Sequence, residues 1–213
     1  MGWINENANG ISAIASILTL GVWVFYAQLL YNGYIRQRRP RIILNRGAGE
    51  GLNAMCLISN MSSEAVYVQY LVAVLHIGEQ SFSLELTEYK KSSGDDEYHD
   101  KYYATHQGPL LSGGYLHAHS FNDILTQIRD HWHLEQQQLE DPEAPVALEI
   151  KVIAIYGSED SPIGATRCFK INMNGSLAQQ LIPESMDTVR LNSRRQRQQV
   201  KRWIEEIEQE KAC

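Results

Sequence analysis

Residues Ala65–Ile77 read AVYVQYLVAVLHI, and this stretch decides the fold. It is long, almost wholly apolar and dominated by β-branched and aromatic side chains, which favours an extended strand over a helix. The next segment, Ser81–Tyr89 (SFSLELTEY), sets Phe82, Leu84 and Leu86 against polar neighbours. That two-residue alternation predicts a half-buried strand. Working outward, the same logic predicts strands at Arg41–Asn45, Ala54–Ser59, Tyr115–Ser120, Val146–Gly157 and Ala165–Met173. Asn60-Met61-Ser62-Ser63 and the segment Gly157–Gly164 read as turns between them.

One helix interrupts the strands. Ser120 with Asp123 resembles a capping box, and Phe121, Ile124, Leu125, Ile128 and Trp132 keep helical spacing. The Asp141–Pro145 segment, DPEAP, breaks helical character, so the helix is expected over 121–140. Seven strands at this spacing predict a mainly β, antiparallel sandwich. The order resembles an immunoglobulin-like domain with a helix inserted before the penultimate strand, a resemblance of pattern that implies a β-sandwich core. A twisted half-barrel is the alternative. Regular strand–helix alternation is absent, which counts against a Rossmann-type sheet.

The N-terminal end is different. Residues 11–31 read ISAIASILTLGVWVFYAQLLY, and no charge occurs between Glu6 and Arg36. About 20 helical residues cross a hydrocarbon core of roughly 30 Å, so residues 11–34 are expected to form a single-pass transmembrane helix. Tyr31 and Tyr34 suit an interfacial belt. Ser12, Ser16 and Gln28 are candidate contacts with another helix in lipid. A cleaved signal peptide would need a basic start, whereas here the basic residues follow the span. Arg36, Arg38, Arg39 and Arg41 lie directly after it and none precede it. The positive-inside rule therefore predicts an external N-terminus and a cytoplasmic body, at the inner membrane in a bacterium.

The 213 residues carry a formal net charge of −6, but the average hides a pattern. Arg36–Arg46 holds five basic residues and no acid, and Arg194–Arg202 holds another five with no acid. Between them, Gly47–Arg190 contains 20 acidic and 8 basic residues, a net of −12. The expected organisation is a short tail (1–10), the span (11–34), a basic juxtamembrane segment with the first strand (35–46) and the sandwich (47–178). A linker and charged amphipathic helix (179–213) complete it. In that last helix Arg194, Arg195, Arg197, Lys201 and Arg202 precede Glu205, Glu206, Glu208 and Glu210, against the macrodipole. Two explanations stand: the basic turn meets anionic lipid or the acidic body, or the order is neutral drift on a solvated helix. Three cysteines without paired spacing (Cys56, Cys168 and Cys213) fit a reducing compartment, the first two as small core residues.

The sequence offers little chemistry. His117 and His119 share one strand face and form a candidate metal pair, short of the three or four ligands zinc needs. There is no GxSxG, and Gly47-Ala48-Gly49-Glu50-Gly51 opens no helix, so it reads as a turn rather than a nucleotide loop. No catalytic residue, metal or cofactor is expected. The long loop 90–114 carries Tyr98, His99, Tyr102, Tyr103 and His106 among acids, a composition suited to partner recognition. Nucleic acid is not an expected partner, since a body of this charge repels phosphate. The bilayer, anionic headgroups, and a protein partner or a second copy are. The leading functional expectation is a protein-interaction or regulatory module held at the membrane. An accessory subunit that contacts a larger complex through its span is one alternative, and a membrane-tethered ligand sensor or effector is the other.

Overall fold

The computed structural model describes residues 7–37, 39–86, 105–135, 145–157, 159–172 and 180–212. The chain forms two compact units, Met1–Arg39 and Pro40–Cys213.

The first unit is one helix, α1 (Ala8–Gln37). Ile17, Leu18, Leu20, Val22 and Trp23 are all exposed, and at 100° per residue they point around the whole circumference. A helix apolar on every side has no polar face to turn to water. The stretch Ala8–Ile35 is long and apolar enough to cross a membrane, and none of it is buried within the protein. Ser16 and Thr19 donate to the carbonyls of Ser12 and Ala15 (2.8 Å each), which satisfies their hydroxyls inside the helix.

The second unit holds two antiparallel sheets. The smaller comprises β1 (Ile42–Arg46), β2 (Met55–Asn60) and β6 (Tyr115–Ser120) in the order β1-β2-β6. The larger is built on β3 (Val66–Ile77), β4 (Gln80–Glu85), β7 (Val146–Tyr156), β8 (Pro162–Asn172) and β10 (Val189–Leu191), ordered β10-β8-β7-β3-β4. Two further short strands complete its edges. β5 (Gly108–Leu110) pairs with β3 beside β4, and β9 (Gln180–Pro183) pairs with β8 beside β10.

The near-continuous apolar run of β3 has a specific cause. Val66 and Val68 face the space between the sheets, but so do Leu71, Ala73 and Leu75. The switch from even to odd positions occurs at a register shift between Val68 and Tyr70 against β7, where one extra residue flips the alternation. The opposite face carries Tyr70, Val72 and Val74, covered by the C-terminal helix α3 (Arg194–Ala212). Val200, Trp203, Ile204 and Ile207 form its apolar side, joined by Leu191 of β10. Much of β3 is therefore covered on both faces, so this interior strand cannot show clean polar alternation. At Gly164 on β8 the helix comes so close that a Cβ would lie 2.7 Å from Val200 Cγ2.

The inner helix, α2 (Phe121–Trp132), starts as expected. Ser120 accepts from the Asp123 amide (3.1 Å) and its hydroxyl donates to the Asp123 carboxylate (2.6 Å). Phe121, Ile124, Leu125 and Ile128 enter the core, and Phe121 meets Phe169 of β8 edge to face. Trp132 sits at the rim instead, 44% exposed, with its indole donating to Ser83 O (2.8 Å).

Four expectations are corrected. The helix ends at Trp132 rather than near 140, because His133 adopts a left-handed cap (φ 52°) and donates back to Arg129 O. The long loop 90–114 contains β5, a three-residue strand disguised by Gly108 and Pro109; an edge position tolerates the proline. Likewise the linker expected after 178 contributes β9 and β10 to the large sheet. The C-terminal helix belongs to the body too, as the cover of its outer face. Cys56 is fully buried in the core and Cys168 is half-buried; burial, the main cause for both, pushes each thiol up to about 12.

Candidate functional site

One end of the body gathers the residues that the sequence analysis placed in separate clusters. The chain enters the body at Pro40, which is buried. The Arg41 amide donates to Ser62 Oγ (2.7 Å), and the Met61 amide donates to the Arg41 carbonyl (2.8 Å). Ser112 Oγ in turn donates to the Ser62 carbonyl (2.6 Å). The loops at 61–64 and 111–114 thus frame the first residues of the body.

Asn60 fixes that frame from below. It is fully buried, and its amide donates to the carbonyls of Glu64 (2.9 Å), Leu110 (2.9 Å) and Leu111 (3.2 Å). Its carbonyl accepts from the Ser62 amide (2.9 Å). A buried amide with every group engaged locks two loops whose own backbone bonds are few.

The start of α3 joins the same end. Asn192 Nδ2 donates to the Pro40 carbonyl (3.1 Å), and Arg197 Nε donates to Asn192 O (2.8 Å). Arg197 also forms an ion pair with Glu159 in the β7–β8 turn. Ser193 and Gln196 make a capping box, Gln196 accepting from the Ser193 amide (3.1 Å) and Ser193 Oγ from the Gln196 amide (3.4 Å). This S-x-x-Q signature stands in the sequence and marks where the helix begins. Arg41, Arg194 and Arg195 are exposed and form no ion pair among the described residues. The reversed charge order of α3 is thereby partly explained: Arg197 meets the acidic body, while Arg194 and Arg195 remain open. Lys201 and Arg202 are exposed further along the helix. Met61 (55% exposed) and Leu111 (69% exposed) add two large apolar side chains to this end. Arg39 is exposed in the N-terminal unit, the helix backbone includes Arg36, and Arg38 lies outside the described residues.

The histidines form a second cluster. On β6, Tyr115 and His117 are exposed, and His117 meets the Tyr115 ring edge to face at 5.1 Å. His119 meets His106 in the same way at 5.0 Å. The two candidate metal residues thus point to different ring partners. Among the described residues no group of three or more His, Cys, Asp or Glu is placed to hold a metal ion. His106 is only 8% exposed, so of the five candidate recognition residues the one that is described is buried against His119 of β6. Burial, with a smaller push from His119, drives its imidazole down to about 4. Burial also lowers His119, against the pull of Asp123. Tyr98, His99, Tyr102 and Tyr103 lie outside the described residues.

Two internal groups complete the inventory. Arg167 of β8 is buried, with Nη1 donating to Leu44 O (2.7 Å) and Asn45 Oδ1 (3.1 Å), and Nη2 to Ser185 O (3.2 Å) and Met186 O (3.3 Å). It stitches β1 of the small sheet to the β9–β10 connection. Between α3 and the large sheet, a cavity of about 70 Å³ is lined by Val72, Lys151, Trp203, Glu206 and Ile207 among others. That is far below the few hundred Å³ of a typical small-molecule site. No family model matches this chain, and no significantly similar curated protein or solved structure was found.

Proposed function

We infer that this chain is a single-pass membrane protein whose β-sandwich stands on the cytoplasmic side and serves there as a protein-interaction or regulatory module. The observation that carries this reading is the span Ala8–Ile35: apolar around its whole circumference, exposed throughout, and followed by arginines with none before it. An anchor of this kind raises the effective concentration of the body for other membrane components. Among the described residues the body presents exposed loops at one end and a cavity of only about 70 Å³, which suits macromolecular contact better than small-molecule catalysis.

The immunoglobulin-like reading of the sandwich belongs to the same proposal. Its support is the pairing order. The first, second and sixth strands form one sheet, and the eighth, seventh, third and fourth run side by side in the other. That is the order of an A-B-E sheet facing a G-F-C-C′ sheet, with α2 between strands E and F. The core has no inter-sheet disulfide among the described residues; the Phe121–Phe169 pair bridges the layers instead.

Protease protection of the full-length protein tests the topology. In sealed cells the body should resist external protease and become digestible only when the membrane is opened. Digestion of the body from outside, or release of the protein by alkaline carbonate, would overturn the reading. For the interaction role, the triple variant Tyr98→Ser, Tyr102→Ser, Tyr103→Ser should lower recovery of a co-purifying protein from mild detergent. Unchanged recovery removes the loop from the proposal.

A further inference from the structure

The Asn192–Pro40 hydrogen bond, between residues 152 apart in sequence, brings Arg41 of the first basic cluster and the start of the second to one end of the body. Arg41, Arg194 and Arg195 are exposed there, beside the loops that present Met61 and Leu111 to solvent. The acidic groups at this end are Glu64, Glu159 and Asp160, and Glu159 is engaged by Arg197. Chain length decides what such a surface meets. Arg41 follows Ile35, the last residue of the apolar span, by six residues, which caps their separation at about 21 Å. A tether that short keeps this end within reach of headgroups. Guanidinium groups match the geometry of phosphate oxygens, and large apolar side chains flanked by arginine suit the boundary between headgroups and acyl chains.

We propose that this end is a lipid-docking face. Arg41, Arg194 and Arg195 bind the phosphates of anionic lipids, while Met61 and Leu111 enter the interfacial layer, so that the body is held against the bilayer in one orientation. The inference rests on the membrane-anchor reading above. Each arginine contributes about fivefold to the docked population, from about 1 kcal/mol per basic residue at an anionic surface.

The test uses full-length protein in nanodiscs of phosphatidylcholine, with and without phosphatidylserine, read by amide hydrogen exchange. On anionic discs the segments 111–114 and 194–197 should exchange several-fold more slowly, and high salt should abolish the difference. The double variant R194E/R195E should return both segments to the zwitterionic rate. L111D should weaken protection without changing β3 or β7, which serve as the internal control for folding. Equal rates on the two disc types, or protection that survives R194E/R195E, would overturn the docking face while leaving the anchor reading intact. A protein that fails to enter discs at all would overturn both.

Discussion

Gly164→Ala tests how α3 sits on the large sheet, because packing and chain entropy predict opposite signs. Gly164 has no left-handed backbone requirement, so alanine there should lower the entropy of the unfolded chain and stabilise by about 0.4–1 kcal/mol. In the folded protein the new methyl would lie 2.7 Å from Val200 Cγ2 and 3.2 Å from Leu191 Cδ1. Carbon atoms pack at about 3.5–4.0 Å, so a shift of up to about 1 Å is required. Overpacking of this kind costs about 1–3 kcal/mol, which leaves a net destabilisation of up to about 2.6 kcal/mol. Val200→Ala alone removes two buried methyl groups and costs about 1.5 kcal/mol. In the double variant the alanine methyl fills the space that Val200 vacates, so the pair should be less destabilised than the sum by 1 kcal/mol or more. Urea unfolding of the full-length protein in detergent, followed by tryptophan fluorescence, measures all three. A stabilised Gly164→Ala variant, or strictly additive effects, would refute this packing. With it would go the close approach of α3 to β8.

Other predictions concern buried polar groups. Arg167→Ala should cost about 3 kcal/mol or more, since it strands carbonyls on β1 and the β9–β10 connection; a urea midpoint shift below that of an ordinary surface variant would argue against the stitch. Asn60→Leu should cost about 2–4 kcal/mol and speed amide exchange at 61–64 and 111–114 together, because one side chain holds both loops. The His106–His119 pair predicts acid sensitivity. The folded-state pKa of His106 lies near 4, below its ordinary 6.5, so between those values the unfolded chain binds more protons. Stability should be flat in this respect above pH 6.5 and fall by about 1–3 kcal/mol on acidification to pH 4. His106→Phe should flatten that slope, and an unchanged slope would remove the imidazole as its source.

The sequence yields the long elements and hides the short ones, for physical reasons. β3, β7 and β8 announce themselves because many consecutive β-branched residues are needed to fill a sheet covered on both sides. Strands of three or four residues, such as Gly108–Leu110, Gln180–Pro183 and Val189–Leu191, complete less than two periods of alternation and exist only through their partners. The end of α2 is invisible because histidine, not glycine, takes the left-handed cap. The candidate site was half legible. Both basic clusters stand out as composition, but the approach of Arg41 to the start of α3 involves a long-range hydrogen bond, from Asn192 to Pro40, that no local pattern encodes. Asn60, the residue that orders the loops there, reads in sequence as an ordinary turn residue.

Each side of the large sheet is divided between two short strands: β4 and β5 along β3, and β9 and β10 along β8. The outer strand of the small sheet is guarded differently. Thr188 Oγ1 both accepts from the Leu44 amide (2.9 Å) and donates to its carbonyl (3.3 Å). Proteins tethered in a bilayer diffuse in two dimensions, share an orientation and collide far more often with sheet edges aligned than the same proteins in solution. A long uninterrupted edge would then be a template for unwanted strand pairing between neighbours. Edges divided among short strands shorten that template.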